Sequence, residues 1–269
     1  MNSSLTLSEI WIYPVKSLAG ISLSSAQVWK KGLRYDRRFM LIDDDGVAMT
    51  QRKHPRMALF QVEIIDNRCT VGYQESSIDW PIEPTSFSNA LTAKVWDDLV
   101  DVHEVNDDIS RWFSNHLGKP CRLVYFPENN PRLIEQNYWP KDDHVGLADA
   151  YPLLLIGRDS LSDLNQRLAS PVTMKRFRPN LVFSGGGPFV EDTWGEFRIG
   201  SNRFKAVKPC ARCVLTTVNP ETAEMGPEPL RTLSSYRKVD NKVYFGQNIV
   251  IIGATEIRTG DKIVVDSLR

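Results

Sequence analysis

The stretch Lys208-Pro209-Cys210-Ala211-Arg212-Cys213, followed directly by Val214-Leu215-Thr216-Thr217-Val218, decides how this chain is interpreted. It places two of the four cysteines three positions apart, among cationic side chains and ahead of a β-branched run. A thiolate is the reactive and metal-binding form of cysteine, and neighbouring positive charge favours that form. The β-branched run predicts a strand over 214–218.

Four interpretations of Cys210 and Cys213 compete. A structural zinc site takes four ligands, commonly two cysteine pairs, but Cys69 and Cys121 stand alone and the histidines form no HxxxH pattern. A thioredoxin-like pair opens a helix, whereas this pair precedes a predicted strand. The residues therefore disfavour these two interpretations without excluding them, and two others fit better: one thiolate ligand to a soft metal whose other ligands come from a cofactor, and an inert buried pair.

The composition is that of an ordinary globular chain of 269 residues, 42% hydrophobic and 25% charged. Its 33 basic and 33 acidic residues balance, so no overall field favours nucleic acid or an anionic membrane. The N-terminal sequence shows no targeting pattern, and the aliphatic run Leu153–Ile156 is too short to span a bilayer. Four cysteines make no disulfide framework. We expect a cytoplasmic, reducing location without nucleic-acid or membrane partners.

Apolar patterning predicts a β-rich α+β chain with a few short helices. Strands are predicted in the first half at Ser8–Val15, Ile21–Trp29, Arg38–Ile42, Val47–Thr50, Leu59–Ile65, Cys69–Tyr73 and Arg122–Phe126. They are predicted in the second half at Leu181–Phe183, Arg198–Ile199, Arg203–Val207, Val214–Val218, Ile249–Ile252 and Lys262–Val265. Helices are predicted at Asp107–Leu117, Asp159–Leu168 and near Pro229–Tyr236, and a long loop at Pro127–Asp143. A domain boundary is expected near residues 118–125.

Cationic side chains recur where predicted elements begin or end. They stand at Lys16-Ser17 after the first strand, at Arg37-Arg38 before the third, and at Arg178 ahead of Pro179-Asn180. Converging on one point, they would bind a phosphate through bidentate guanidinium bonds and an ammonium charge. Each alone is also typical of a solvated surface. The chain shows no Ser-His-Asp order, HExxH or Rossmann fingerprint.

Five motifs in a fixed order give the chain a family resemblance. They are Ile12–Ser17, Asp36–Phe39, Phe177–Asn180, Lys208–Val218 and Phe245–Asn248. Together they resemble the MOSC-domain proteins that bind molybdenum cofactor, in particular the bacterial N-hydroxylated-compound reductases and the mitochondrial amidoxime-reducing components. The resemblance covers nearly the whole chain. It implies an N-terminal MOSC β-barrel domain over residues 1–120, packed on a C-terminal MOSC β-barrel domain over residues 121–269.

The resemblance also implies a cofactor and its ligands. A mononuclear molybdenum would be held by two dithiolene sulfurs of molybdopterin and by one protein thiolate. That thiolate is the second cysteine of the motif, so Cys213 is predicted to be the metal ligand and the catalytic residue, with Cys210 in the non-ligand position. The predicted cofactor-binding residues are Lys16, Ser17, Arg38, Tyr151, Arg178, Asn180, Arg212, Cys213 and Asn248.

The function implied by the resemblance is molybdenum-dependent reduction of N-hydroxylated compounds, namely hydroxylamines, amidoximes and N-hydroxylated bases. No cysteine follows Cys213, and a [2Fe–2S] centre needs four ligands. We therefore expect electrons from a separate flavin or iron–sulfur donor protein. Two alternatives stay open: a carrier or sulfur-transfer module that holds molybdopterin without turnover, and a metal-free thiol-redox protein using Cys210 and Cys213.

Overall fold

The structure is a computed structural model that describes residues 4–139 and 141–269, which are mostly β-structure. The strands of the first half are β1 Thr6–Ile12, β2 Ile21–Leu23, β3 Ser25–Trp29, β4 Gly32–Leu33, β5 Phe39–Ile42, β6 Gln61–Ile65, β7 Arg68–Tyr73, β8 Ser76–Pro81, β9 Asn89–Val95, β10 Asp98–Glu104 and β11 Arg122–Tyr125. Those of the second half are β12 Leu153–Gly157, β13 Leu181–Ser184, β14 Glu196–Ile199, β15 Asn202–Arg212, β16 Lys238–Val239, β17 Lys242–Gly253, β18 Glu256–Arg258 and β19 Ile263–Val265. The helices in the described residues are α1 Asp107–Leu117, α2 Arg158–Arg167 and α3 Leu230–Tyr236.

The largest sheet has nine strands and joins the start of the chain to its second half. Its order is β19-β14-β15-β17-β12-β13-β1-β2, and β16 pairs with β17. The long strands β15 and β17 run antiparallel at its centre, while β12 and β13 pair in parallel. Buried aromatic side chains on this sheet pack together, with the rings of Phe183 and Trp194 4.7 Å apart. The sheet therefore forms a rigid base for residues at the ends of β12, β13 and β15.

Three smaller sheets complete the β-structure, with orders β5-β11-β10-β9, β6-β7-β8 and β18-β3-β4. Helix α1 buries Ile109 and Phe113 in a second core that also contains Phe60 and Trp80. Its predicted bounds are confirmed, but its cap is Asn106, whose side chain accepts a bond from the backbone N–H of Asp108. The hydrophobic spacing that predicted this helix thus corresponds to its buried face.

The β-rich α+β class with a few short helices is confirmed, but closed barrels are not formed. Within residues 4–139 and 141–269 no sheet closes into a continuous ladder. Strand β1 and the segment before β19 meet at an isolated bridge between Thr6 and Lys262. Pairing there stays short because β19 spans three residues. The predicted boundary at 120/121 stays a prediction; β11, just beyond it, pairs with β5 and β10.

The predicted strand over 214–218 is wrong, since Val214–Thr217 forms a 3-10 turn. The hydroxyl of Thr216 donates to the carbonyl of Cys213 at 3.0 Å, and that of Thr217 donates to the carbonyl of Val214 at 2.8 Å. Such local bonds compete with a strand ladder. Strand β15 instead runs through Cys210 to Arg212, so Cys213 lies where the chain leaves the sheet.

Smaller differences concern the other predicted elements. Helix α2 begins and ends one residue earlier than predicted, at Arg158–Arg167. The predicted loop Pro127–Asp143 contains no named strand or helix in its described residues, and Pro140 lies outside them. No helix in the described part of the chain combines the length and the apolar character needed to cross a membrane.

Candidate cofactor site

A cavity of about 270 Å³ lies between the first strands of the chain and the ends of β12, β13 and β15. The end of β15 supplies the thiol of Cys210 to its wall, and the residue directly after β15 supplies that of Cys213. Six cationic side chains and two carboxylates line it. The cations are Lys16, Arg37, Arg52, Arg178, Lys208 and Arg212, and the carboxylates are Glu135 and Asp149. The cavity therefore suits an anionic ligand.

Cys213 is exposed to this cavity and is contacted by a cation from the other half of the chain. Its sulfur lies 3.7 Å from Nη1 of Arg52. The same guanidinium lies 3.5 Å from a carboxylate oxygen of Asp149. Arg52 thus connects the first half of the chain to the thiol.

Cys210 is half-buried and has a different partner. Nη1 of Arg212 donates to the Cys210 sulfur at 3.0 Å, and Nη2 of Arg212 donates to the carbonyl of Phe177 at 2.6 Å. The Nε atom of Arg212 is buried, and no partner for it lies among the described residues. The two thiols are therefore held by two different arginines, with one Arg212 donor left over for a ligand.

Arg178 carries a second buried donor that has no hydrogen-bond acceptor among the described residues. It adopts a left-handed conformation with φ 53°, after the 3-10 turn Met174–Phe177. Nη1 donates to the carbonyl of Leu18 at 2.6 Å, whereas Nη2 is buried and has no partner in the described chain. Burial lowers the pKa of Arg178 to about 10. A guanidinium placed this way at a cavity wall is expected to bind an anion or an acceptor-rich ring.

Asn180 fixes the wall beside Arg178. Its side-chain oxygen accepts from Nη1 of Arg37 at 3.1 Å and from the backbone N–H of Leu154 at 3.3 Å. Its amide nitrogen donates to the carbonyl of Trp11 at 3.1 Å. Asn180 is almost fully buried and therefore contributes mainly by joining β1, β12 and β13 at the cavity.

Lys16 and Asp149 form an ion pair at the cavity, in which the lysine side chain is buried and the aspartate is half-exposed. Nζ of Lys16 donates to the carboxylate of Asp149 at 2.6 Å and to the carbonyl of Leu147 at 2.7 Å. Burial lowers the pKa of Lys16, against the opposing effect of Asp149. Burial alone would raise the pKa of Asp149, but the charges of Lys16 and Arg52 hold that pKa well below its ordinary value. Asp149 is therefore ionised throughout the neutral range.

This ion pair predicts an acid-dependent stability. A carboxyl whose folded pKa is depressed stabilises the fold fully above its unfolded pKa, about pH 4 for Asp, and this stabilisation is lost as the pH falls towards the folded pKa. We expect Asp149→Asn to lower the melting temperature by about 2–5 °C at pH 6. The difference from wild type should shrink between about pH 4 and about pH 2.5.

The control for this prediction is Asp45→Asn, since Asp45 is exposed and forms no ion pair among the described residues. Thermal unfolding followed by circular dichroism across this pH range measures both variants. A difference between wild type and Asp149→Asn that stays constant down to about pH 2.5 would contradict the assignment of a depressed pKa to Asp149.

The remaining predicted residues line the same cavity. Ser17 has φ 68°, and its carbonyl accepts from the side chain of Gln51 at 2.7 Å. The Tyr151 hydroxyl donates to the carbonyl of Glu135 at 3.2 Å, and burial raises its pKa. Asn248 pairs with Lys208 and with Leu154 in the sheet register.

Gly246 makes this position of Asn248 possible. It has φ 82°, and a Cβ built on it would lie 2.6 Å from Cγ1 of Ile156 and 2.9 Å from the carbonyl oxygen of Leu155. A side chain there would push β17 away from β12. The motif Phe245–Asn248 therefore combines a glycine needed for close strand packing with a residue that faces the cavity.

Arg38 is the predicted site residue that the structure places elsewhere. It does not line the cavity; its Nη2 donates to the carbonyl of Phe126 at 2.7 Å, and its guanidinium pairs with Glu128. Its neighbour Arg37 faces the cavity instead, and donates to Asp36 at 2.5 Å and to Asn180. Arg37 has a left-handed backbone with φ 51° in the turn before β5, so its side chain and that of Arg38 leave the chain in different directions.

Sequence reasoning missed Arg52 and Asp149 as partners in the site. Arg52 lies in a turn, and nothing in the sequence pattern around it distinguishes it from a surface cation. A signal was available for Asp149, because a buried lysine such as Lys16 requires a carboxylate partner.

The cavity fits the cofactor that the family resemblance implies. Molybdopterin is an anionic, acceptor-rich group, and the unpartnered donors of Arg178 and Arg212 are buried beside the cavity. Cys213 has a free, exposed sulfur, the soft donor type that a metal with sulfur ligands would take. Within residues 4–139 and 141–269 no group of three or more His, Cys, Asp or Glu side chains could hold a metal ion.

Comparison with known proteins agrees with this geometry. The MOSC N-terminal beta barrel domain family matches residues 4–120, and the MOSC domain family matches residues 142–264. Mitochondrial amidoxime-reducing component 1 of Mus musculus is 36% identical over 277 residues, which cover 96% of this chain and 81% of that protein.

The human relatives are similarly close. Component 1 of Homo sapiens is 34% identical over 278 residues, covering 96% of this chain and 82% of that protein. Mitochondrial amidoxime reducing component 2 of Homo sapiens is 36% identical over 247 residues, covering 87% and 73%. The chain belongs to the MOSC-domain family of the amidoxime-reducing components. The family resemblance drawn from the five motifs is confirmed.

The same comparison overturns the expected cytoplasmic location. The relatives from mouse, human and rat are named as mitochondrial components. The expectation rested on the absence of a recognisable targeting pattern in the N-terminal residues and on the free cysteines. Neither observation distinguishes one reducing compartment from another, so the prediction of a cytoplasmic location was wrong.

Proposed function

We propose that this protein binds a molybdenum–molybdopterin cofactor in the cation-lined cavity and reduces N-hydroxylated compounds with electrons from a separate donor protein. The observation that carries the proposal is an exposed thiol, Cys213, on the wall of a cavity whose lining also includes Arg178 and Arg212, each with one buried, unpartnered guanidinium nitrogen. The names of the family members, which are amidoxime-reducing components, support the reaction class.

Each part of the cofactor has a matching group in the chain. Cys213 would be the protein ligand to the metal. Arg178 and Arg212 would donate to the pterin or the phosphate through their free nitrogens, and Lys16 and Arg37 would add positive charge. The backbone at Ser17, Tyr151 and Asn248 lines the remaining wall. When bound, the group supplies two-electron oxygen-transfer chemistry, and the protein supplies binding and electrostatics.

The chain's own residues prepare this site for an anion. Arg52 keeps a positive charge 3.7 Å from the Cys213 sulfur, where the anionic cofactor would bind. Asp149 holds Arg52 in place from the other side, at 3.5 Å. Lys16 in turn anchors Asp149. The ion pairs Lys16–Asp149 and Asp149–Arg52 therefore orient the guanidinium that faces the metal ligand.

The backbone around the two cysteines argues against dithiol exchange. Strand β15 extends through Cys210 to Arg212, and Cys213 keeps an extended conformation with φ −125° and ψ −178°. Three extended residues separate the two Cα atoms by roughly 10 Å, beyond the separation of about 7 Å that a disulfide can bridge. This favours a metal ligand at Cys213 over a Cys210–Cys213 redox couple.

The proposal includes the finer assignments of the sequence. Residues 1–120 would form the N-terminal MOSC β-barrel domain and residues 121–269 the C-terminal one. The cavity between them draws Lys16 and Arg52 from the first, and Arg178 and Cys213 from the second. The electron donor would be a flavin or iron–sulfur protein.

The test is turnover by molybdenum-loaded protein. The protein is expressed in a host rich in molybdenum cofactor, and its metal content is measured. It is then mixed with reduced viologen and with 6-hydroxylaminopurine or benzamidoxime. We expect adenine and benzamidine in amounts that exceed the enzyme many-fold. Fully loaded protein that forms neither product, while a reference amidoxime reductase does so under the same conditions, would overturn the proposed activity and favour a cofactor carrier.

A further inference from the structure

An exposed tryptophan lies against the guanidinium that faces Cys213. The ring of Trp96 stacks on Arg52, with 4.2 Å between the guanidinium carbon and the ring centre. Arg52 itself lines the cavity and contacts the Cys213 sulfur at 3.7 Å. Trp96 is therefore one side chain away from the thiol. It is nevertheless 52% exposed, because Arg52 covers a single face of its ring.

The backbone at Trp96 is unusual for so large a residue. Trp96 and Asp97 connect β9 to β10, whose last and first residues, Val95 and Asp98, pair. Trp96 has φ 58°, a left-handed conformation that hairpin loops normally give to glycine, asparagine or aspartate. A non-glycine residue in this region costs about 1 kcal/mol or more and is found preferentially at functional sites. The strain holds the indole at the hairpin tip.

The hairpin tip is fixed next to the segment that carries Arg52. The backbone N–H of Ala48 donates to the carbonyl of Lys94 at 2.9 Å, and that of Lys94 donates to the carbonyl of Gly46 at 2.8 Å. The guanidinium that packs on the indole is itself held by the Asp149 carboxylate at 3.5 Å. Trp96 is thus a positioned surface at the rim of the cavity and not a freely moving side chain.

We propose that Trp96 is a substrate-binding residue whose exposed indole face stacks on planar, π-conjugated N-hydroxylated compounds as they approach the site. This inference rests on the proposed function, since it concerns the substrates of the same site. A flat apolar face next to a cationic rim favours aromatic amidoximes and hydroxylamino-heterocycles over aliphatic amidoximes of the same reactive group. Arg52 would orient this indole face, which serves as a stacking platform. The N–O group of the substrate would point past Arg52 towards the cavity.

The first experiment compares two substrates that share the amidoxime group and differ in planarity. Steady-state kinetics with benzamidoxime and acetamidoxime are measured for loaded wild type, Trp96→Ala and Trp96→Phe. Trp96→Ala should raise KM for benzamidoxime about fivefold or more while its KM for acetamidoxime and both kcat values stay within twofold. Trp96→Phe should keep the KM for benzamidoxime close to the wild-type value, because phenylalanine retains an aromatic face. The matched control is Leu99→Ala, which removes another exposed apolar side chain of the same hairpin.

The kinetic result separates stacking from an effect through Arg52. If Trp96 acts only by holding Arg52, Trp96→Ala lowers kcat for both substrates alike, and the proposal is wrong. It is also wrong if both KM values change equally or if neither changes.

A binding experiment keeps the inference distinct from the proposed function. Calorimetry on the loaded proteins measures the binding affinities of benzamidine and acetamidine, which have no N–O bond and therefore cannot be reduced by the proposed reaction. Wild type should bind benzamidine at least about fivefold more tightly than Trp96→Ala does. The two proteins should bind acetamidine with equal affinity. Tighter benzamidine binding by wild type, without any turnover, would refute the proposed reductase activity and still support Trp96 as a stacking surface. Equal benzamidine binding by the two proteins would refute the platform, whether or not the reductase works.

Discussion

Replacing Cys213 with serine is expected to lower the rate of amidoxime reduction at least about 100-fold. Loss of groups that merely support a metal ligand already costs about 10–100-fold, and here the ligand itself is removed. A serine hydroxyl is a harder donor than a thiolate and stays protonated near neutral pH, so it is a poor substitute in a sulfur-rich site. The rate is measured with reduced viologen and benzamidoxime, at equal protein concentration.

Cys210→Ser is the matched control for that result. Cys210 lines the same cavity, but its contacts are with Arg212 and not with Arg52. Since a serine oxygen can accept the same bond from Arg212, we expect Cys210→Ser to keep at least about a fifth of the wild-type rate. Equal losses in the two variants would favour a shared thiol mechanism and contradict the assignment of one protein ligand.

Arg178→Met is expected to separate cofactor retention from folding. Its buried Nη2 has no partner in the described chain, and burial lowers the pKa of Arg178 to about 10. The apoprotein therefore carries a guanidinium that is incompletely compensated, a situation that costs stability. Methionine removes this cost along with the bond to the carbonyl of Leu18. We expect a melting temperature of the apoprotein equal to or above that of wild type.

The same change should lower cofactor occupancy at least about tenfold after dialysis, since a hydrogen bond to a charged group contributes about 1.5–3 kcal/mol. Arg178→Lys should be intermediate, because lysine keeps the charge and loses the planar fork. Arg176→Met is the control; Arg176 donates to the carbonyl of Thr217 at 2.9 Å and does not line the cofactor cavity. Wild-type occupancy in Arg178→Met would refute its role as a cofactor donor.

Much of this site could be predicted because short motifs keep their residues together in sequence. Phe177–Asn180 and Lys208–Cys213 each lie at the end of one strand, and the family resemblance assigned their positions. Eight of the nine predicted cofactor-binding residues line the cavity. The buried face of α1 followed directly from its hydrophobic spacing.

The failures have identifiable physical causes. Arg37 and Arg38 are adjacent, and the left-handed turn at Arg37, which decides that Arg37 lines the cavity, is not evident from the sequence pattern. The run Val214–Val218 has the composition of a strand, but its threonine hydroxyls bond to carbonyls three residues earlier. Arg52 and Trp96 come from two separate loops. They meet because β9 lies beside the segment before Arg52, a long-range pairing that local sequence does not encode.

The most direct test of the account is the amount of molybdenum per polypeptide. Wild type and Cys213→Ser are expressed side by side in a host that makes abundant cofactor, purified without chelators, and analysed by elemental mass spectrometry. The account predicts close to one molybdenum per wild-type chain, with phosphate-bearing pterin released on denaturation, and little metal in Cys213→Ser. Metal-free wild type despite ample cofactor supply, or equal metal in both proteins, would contradict it.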